Sequence, residues 1–283
     1  ATCCIMLEAV QTLFIVWRSN LFFPPAVQAS QKILSFWRWD VMSMLRPSCH
    51  SLGSFTAQVL MTSFGPVVVA LLYASVWGLS QLVGRPCPVL KMEPNRTLNS
   101  FLSILFLFFA GIADSAFAFF MSGPNPNGQH TLLQDRMITC SEDEWNSMVG
   151  VAAFAVLCCL GFGLVLSRAI YTAPRTLHDR NMQMRWKFLF IRYRPDVHWW
   201  ALVVITKGVL SSLVSAIITS GVGQLLWIYL LQATYLCLVL FFRPWRHVLN
   251  NAADTIVHLV LILHITILAF LVQDASVHVA KED

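Results

Sequence analysis

Seven stretches of this chain are apolar over lengths that few water-soluble folds can bury. They run over about 3–17, 55–83, 98–121, 148–171, 199–220, 223–242 and 252–273. A helix needs about 20 predominantly apolar residues to cross the hydrocarbon of a bilayer, and the last six reach that length. The first falls short, and the chain opens at Ala1 without an initiator Met, which suggests a span cut into near its start. That first stretch also lacks the basic flank and small-residue cleavage site of a secretory leader. Charged residues make up 12% of the chain, against about 25% in soluble domains. These features predict an all-α fold, a polytopic transmembrane helix bundle of about seven spans in a single domain over 1–283.

Charge between the spans predicts their orientation. The connections 84–97, 174–198 and 243–250 carry +2, +4 and +2, a total of +8 on one face, while the segments on the other face total −2. Short basic loops stay in the cytosol, so the N-terminus is expected inside and the C-terminus outside, in the plasma membrane or an endomembrane. "NRT" at Asn95–Thr97 fits a glycosylation sequon. It falls on the cytosolic side of this topology, close to the next span, and is read as a chance match.

The connections carry amphipathic patterns of their own. In "FFPPAVQASQKILSFWRWDVMSML", residues 26–41 predict an interfacial helix, with a re-entrant segment as the alternative. In "TLHDRNMQMRWKFLFI", Leu177, Met184, Phe188 and Ile191 share a stripe beside Arg180 and Lys187. This predicts a second interfacial helix, over 176–191, lying on the anionic cytoplasmic leaflet, where each Lys or Arg contributes about 1 kcal/mol. The following "RYRPDVHWW" adds Arg192 and Arg194 to the anchor. Pro195 ends the helix, and Trp199 and Trp200 mark headgroup depth. Lys207, two turns further in, is expected to snorkel back to the border. The fifth and sixth spans are joined by "SGVGQ", too short to hold a pore loop and filter.

Of the eight cysteines, Cys3, Cys4, Cys158, Cys159 and Cys237 lie in apolar spans and act as small hydrophobes. Cys87 falls on the reducing side. Cys49 and Cys140 share the outer side, either as a disulfide or as two unrelated thiols. Ionisable groups inside spans are functional candidates by default. Asp114, Asp254 and His258 are the candidate ion or proton path; Glu8 sits in the short first span, and His264 reads as a packing histidine. Asp254 and His258 are four residues apart and share a helical face with Asn251. They fit a metal site or proton relay, or more plainly an interhelical hydrogen bond of about 0.6 kcal/mol. A cross-span partner for Asp114 would be Lys207 or His258. The sequence holds no phosphate loop, GxGxxG, HExxH, GxSxG or CxxC. No enzyme activity, cofactor or metal is therefore expected. With its basic residues confined to membrane borders, a nucleic-acid partner is not expected either.

Several pieces, in order along the chain, carry a resemblance. They are "EAVQTLF", "FFPPAVQASQKILSF" followed by "RPSC", "FGPVVVALL", "KFLFIRYRPDVHWWALVVITKGVL" and "LVLFFRPWRHVLNNAADTIVHLVL". Together they resemble the TRP-like multi-span region found in large membrane proteins of single-celled eukaryotes, often after a cysteine-rich ectodomain. The pair "RYRP…WW" and "FRPWR" is its most specific part. The resemblance implies a channel-like or sensory membrane protein that conducts cations, and no catalytic or filter residue is carried over with it. Two other readings stand beside it: a non-transporting anchor or assembly module of a larger receptor or complex, and a secondary transporter with a midplane site. The expected partners are the anionic bilayer leaflet and a homo-oligomer or larger complex.

Overall fold

The computed structural model describes residues 2–17, 19, 55–85, 87–124, 128–133, 137–176, 179–218 and 220–282. Its helices are α1 (Thr2–Trp17), α2 (Phe55–Val83), α3 (Pro94–Leu107), α4 (Phe109–Ala118), α5 (Asp143–Thr176), α6 (Arg180–Arg185), α7 (Lys187–Phe190), α8 (Trp200–Ile217), α9 (Gly221–Phe242) and α10 (Val248–Glu282). Among the described residues, four stretches are long and apolar enough to cross a membrane: Ser63–Val83, Trp145–Arg175, Gly221–Phe242 and Val248–Leu271. A fifth forms if α3 and α4, bent by 56° at Phe108, are one span. Helix α1 and the Trp200–Val214 part of α8 are apolar but shorter. The chain is thus a helical integral membrane protein.

One element lies outside the all-α expectation. Strand β1 (Ser122–Pro124) pairs antiparallel with β2 (His130–Leu132). The intervening residues are rich in Gly, Pro and Asn, which cannot continue α4 but readily reverse the chain.

Local chemistry sets the helix ends that matter most. Ser220 caps α9 by accepting from Gly223 N–H at 3.3 Å. A Cβ at position 223 would sit 2.5 Å from Ser220 Oγ and 2.9 Å from Ile218 Cγ2, so a larger residue there would displace the capping hydroxyl. Helix α9 stops where Arg243 enters the left-handed region at φ 44°, and Pro244, with no N–H to give, follows.

Packing places α8 against α4, α9 along α10, α1 across α10, and α2 on the outside of α5. Gly208 makes the α8–α4 approach close: a Cβ there would lie 3.4 Å from Ala110 Cβ. Small residues at such crossings let helices gain van der Waals contact where lipid offers no hydrophobic drive. Two apolar clusters fill the interior. One gathers Phe109, Leu166, Leu189, Trp200, Ile205 and Tyr235. The other, further along the same helices, joins Ile15, Val214, Leu225, Ile228, Ile265 and Leu268.

Where a single interfacial helix is expected over 176–191, the structure has α6 and α7, broken at Trp186 (φ −107°, ψ 15°). Of the expected stripe, Phe188 turns inward whereas Ile191 stays exposed. Phe188 and Leu189 are buried, and the Phe188 ring lies 5.8 Å from that of Phe106. Asn99 Oδ1 accepts from Phe188 N–H at 3.1 Å, and Asn95 Oδ1 from Arg185 Nη2 at 3.2 Å. At Phe188, protein contacts, which periodicity along one segment cannot reveal, take the place of lipid. The other expected interfacial helix, 26–41, lies outside the described residues.

Candidate functional site

Helices α1, α8, α9 and α10 carry one buried charged layer between them. Lys207 lies seven residues into α8 and His258 ten residues into α10, which at 1.5 Å per residue is about 10–15 Å from the helix ends. Lys207 Nζ meets Glu8 Oε1 at 2.5 Å and His258 Nε2 at 2.9 Å, and stands 3.7 Å from the centre of the Tyr235 ring. Lys207 is 4% exposed, and Asp254 and His258 are each 1% exposed.

The partners of His258 fix its tautomer. Its Nδ1 lies 2.8 Å from the Asp254 carbonyl oxygen and 3.1 Å from Asp254 Oδ1. Both are acceptors, so Nδ1 carries the proton. Nε2 faces an ammonium, which can only donate, so Nε2 offers its lone pair. In this arrangement His258 is a neutral ring and Lys207 a cation. Two carboxylates against one ammonium leave the layer with one net negative charge.

That charge rests on Asp254, which is well supplied with donors. Trp245 Nε1 donates to Asp254 Oδ2 at 2.7 Å, and Tyr235 Oη donates to the same oxygen at 3.4 Å. Trp200 Nε1 in turn donates to Tyr235 Oη at 3.4 Å. A buried carboxylate without such donors would face a desolvation cost of several kcal/mol.

The two most specific pieces of the sequence come together above this layer. Tyr193 of "RYRP" and Trp245 of "FRPWR" form an antiparallel bridge with ring centroids 5.0 Å apart. Arg194 N–H donates to the Pro244 carbonyl at 2.8 Å, and Arg246 N–H to the Arg192 carbonyl at 3.2 Å. Asn251 closes the corner: its Oδ1 accepts from Trp245 N–H at 3.0 Å, and its Nδ2 donates to the Trp245 carbonyl at 2.9 Å. Burial holds the Tyr193 phenol far above its ordinary pKa. Beneath the bridge is a cavity of about 40 Å³, lined by Glu8, Gln11, Lys207, Ser211, Arg192 and Trp245, among others.

Of the sequence candidates, Asp254 and His258 share one face and one site. Asp114 is buried on α4, one turn past Ala110, and the contacts just traced do not run through it. Lys207 is not a snorkelling side chain, because its nitrogen is occupied inside the bundle. Trp200 is not a headgroup marker, because it is fully buried and bonded to Tyr235. Among the anchor residues, Arg180 and Lys187 are exposed, Trp199 is half-buried, Arg192 lines the cavity, and Arg194 pairs with Asp196 at 2.6 Å. Cys140 is a free thiol among the described residues, and its suggested partner Cys49 lies outside them. Tyr235 and Trp245 went unsuspected as site residues; the recurrence of "RP" beside an aromatic in both connections was the available signal.

A family model described as the transient receptor potential (TRP) ion channel matches residues 137–280. The chain belongs to the TRP ion channel family. The TRP match spans α5 to α10 and so includes Lys207, Tyr235, Trp245, Asp254 and His258, whereas Glu8 and Asp114 precede it. No curated protein and no solved structure matches this TRP-family chain.

Proposed function

We propose that the chain is a cation-conducting TRP-type membrane module in which the buried Glu8–Lys207–Asp254–His258 layer lies beside the ion path. The observation that carries this reading is the contact cluster of Glu8, Lys207, Asp254 and His258 between apolar helices in a protein of an ion channel family. Charges among such helices are costly and are kept where they serve transport or sensing. In this reading all seven apolar helical units, with α3 and α4 as one bent span, enter the bilayer. The amino end faces the cytosol, as the basic connections favour.

Cation flux into proteoliposomes of the purified full chain tests it, comparing wild type with Asp254→Asn and Asp114→Asn. Flux in wild type that falls in Asp254→Asn, with the protein still monodisperse, supports the reading. Absence of flux across voltage and osmotic stress sinks it.

A second reading, a non-conducting anchor or sensing module of a larger complex, is favoured by the short connections. Three residues join α8 to α9, and five join α9 to α10. Neither connection has room for a pore loop.

A further inference from the structure

Between α2, the α3–α4 pair and α5 lies an apolar cavity of about 170 Å³. It sits where two helices are interrupted. Leu105 comes from α3, and Phe109 and Ala116 from α4, so the lining spans the 56° bend at Phe108. Pro66, on the α2 wall, has no N–H to give the turn before it. Leu105, Phe109, Ala116 and Cys159 are buried and form the inner wall. Phe64, Val67 and Phe154 line the same cavity and are exposed. In an integral membrane protein an exposed phenylalanine within a membrane-length helix meets hydrocarbon, so the mouth opens to acyl chains. Among the described residues no charged side chain lines the space. A trapped water needs two to four polar partners, and a comparable apolar cavity of about 150 Å³ stays dry and binds benzene.

We propose that this cavity binds one acyl chain of a bilayer lipid, which enters between α2 and α5 and lies against the α3–α4 bend. The volume suits a short length of hydrocarbon and is too small for a headgroup. The lining offers an anion or cation nothing to pair with, and it offers hydrocarbon several aromatic rings. Helix α2 shows why the space needs filling. Apart from Gly65, no residue of its Ser63–Val83 stretch is buried, so α2 packs on the bundle with little contact of its own. Wall atoms facing a void have no dispersion partners. A chain in the cavity touches α2, α4 and α5 at once and supplies them. The lining includes none of Glu8, Lys207, Asp254 and His258, so this site stands or falls independently of cation conduction.

The test reconstitutes the full chain in phosphatidylcholine vesicles that contain a phosphatidylcholine with a diazirine midway along one acyl chain. Irradiation followed by peptide mapping reads which residues the carbene reaches. Leu71 and Leu164 are exposed and lie outside the cavity, so they report ordinary lipid contact. The buried Leu105, Phe109, Ala116 and Cys159 report a chain inside it. Both groups should be labelled in wild type. Ala155→Phe and Ala116→Phe each place a ring in the cavity, and two sites guard against one variant failing to fold. In a folded variant, labelling of Leu105, Phe109 and Cys159 should fall several-fold while Leu71 and Leu164 keep theirs. Unlabelled inner walls in wild type, beside labelled Leu71 and Leu164, would overturn the proposal and mean that protein fills or closes the space. Wall labelling that the folded variants leave unchanged would overturn it too.

Discussion

Lys207 Nζ donates to His258 Nε2 at 2.9 Å, and this contact joins α8 to α10 inside a bundle that lipid cannot hold together by the hydrophobic effect. The same nitrogen binds Glu8, so one side chain ties three helices. Removing one partner of a buried pair strands the other, which in general costs about 3–5 kcal/mol. Lys207→Met is expected to lower stability by about that amount, measured by unfolding in mixed micelles. Lys207→Met combined with Glu8→Gln should recover a substantial part, because no charge is then stranded. Additive losses in the double variant would refute the coupling.

Trp245 gives Asp254 its shortest side-chain hydrogen bond. Trp245→Phe keeps the ring packed on Tyr193 but withdraws the N–H. Bonds to charged groups contribute about 1.5–3 kcal/mol, and a loss in that range is expected. The same substitution in an Asp254→Asn background should cost clearly less. Equal costs in both backgrounds would mean that Trp245 acts through packing alone.

Gly208 stands where α8 crosses α4. A methyl group there makes ordinary contact with Ala110, so Gly208→Ala should fold and elute as wild type. Gly208→Leu has no room and should shift the protein toward aggregates in size-exclusion chromatography. A well-behaved Gly208→Leu would show that the helices part easily at this point.

Cys140 and Cys87 should differ in reactivity. Burial pushes the Cys140 thiol above its ordinary pKa, whereas Cys87 is exposed. The thiolate is the reactive form, so near neutral pH Cys140 should react with maleimide several-fold more slowly than Cys87. The difference should narrow as pH rises, because Cys140 then gains thiolate. Peptide mapping of timed reactions reads both sites, and equal rates near neutral pH would contradict the burial seen here.

The sequence made the membrane-crossing helices legible because each is a long apolar run, and a run needs no knowledge of its neighbours. Asp254 and His258 were legible as a pair because four residues along a helix return to the same face. The partners of Lys207 were not, because Glu8 lies 199 positions away and meets it only when α1 packs into the bundle. Composition suggested that an isolated lysine would escape to the border, and a carboxylate on another helix removed the need. The inward turn of Phe188 and the burial of Trp200 escaped for the same reason. An aromatic residue near a membrane border can anchor to lipid or fill a protein core, and local sequence is alike in both cases.

The Tyr193–Trp245 bridge has a mechanical consequence. It joins the residues just before α8 to those just after α9, while a three-residue turn joins the two helices at their far ends. The pair is therefore a closed frame, fastened top and bottom, in which neither helix can slide past the other without opening the bridge. Any larger displacement has to occur along the frame's outer edges, where Lys207 reaches across to Glu8 and His258. A pull on the linker ahead of α8 would then swing two helices together, as a hinged panel, and strain the contacts that Lys207, Tyr235 and Trp245 make with α1 and α10.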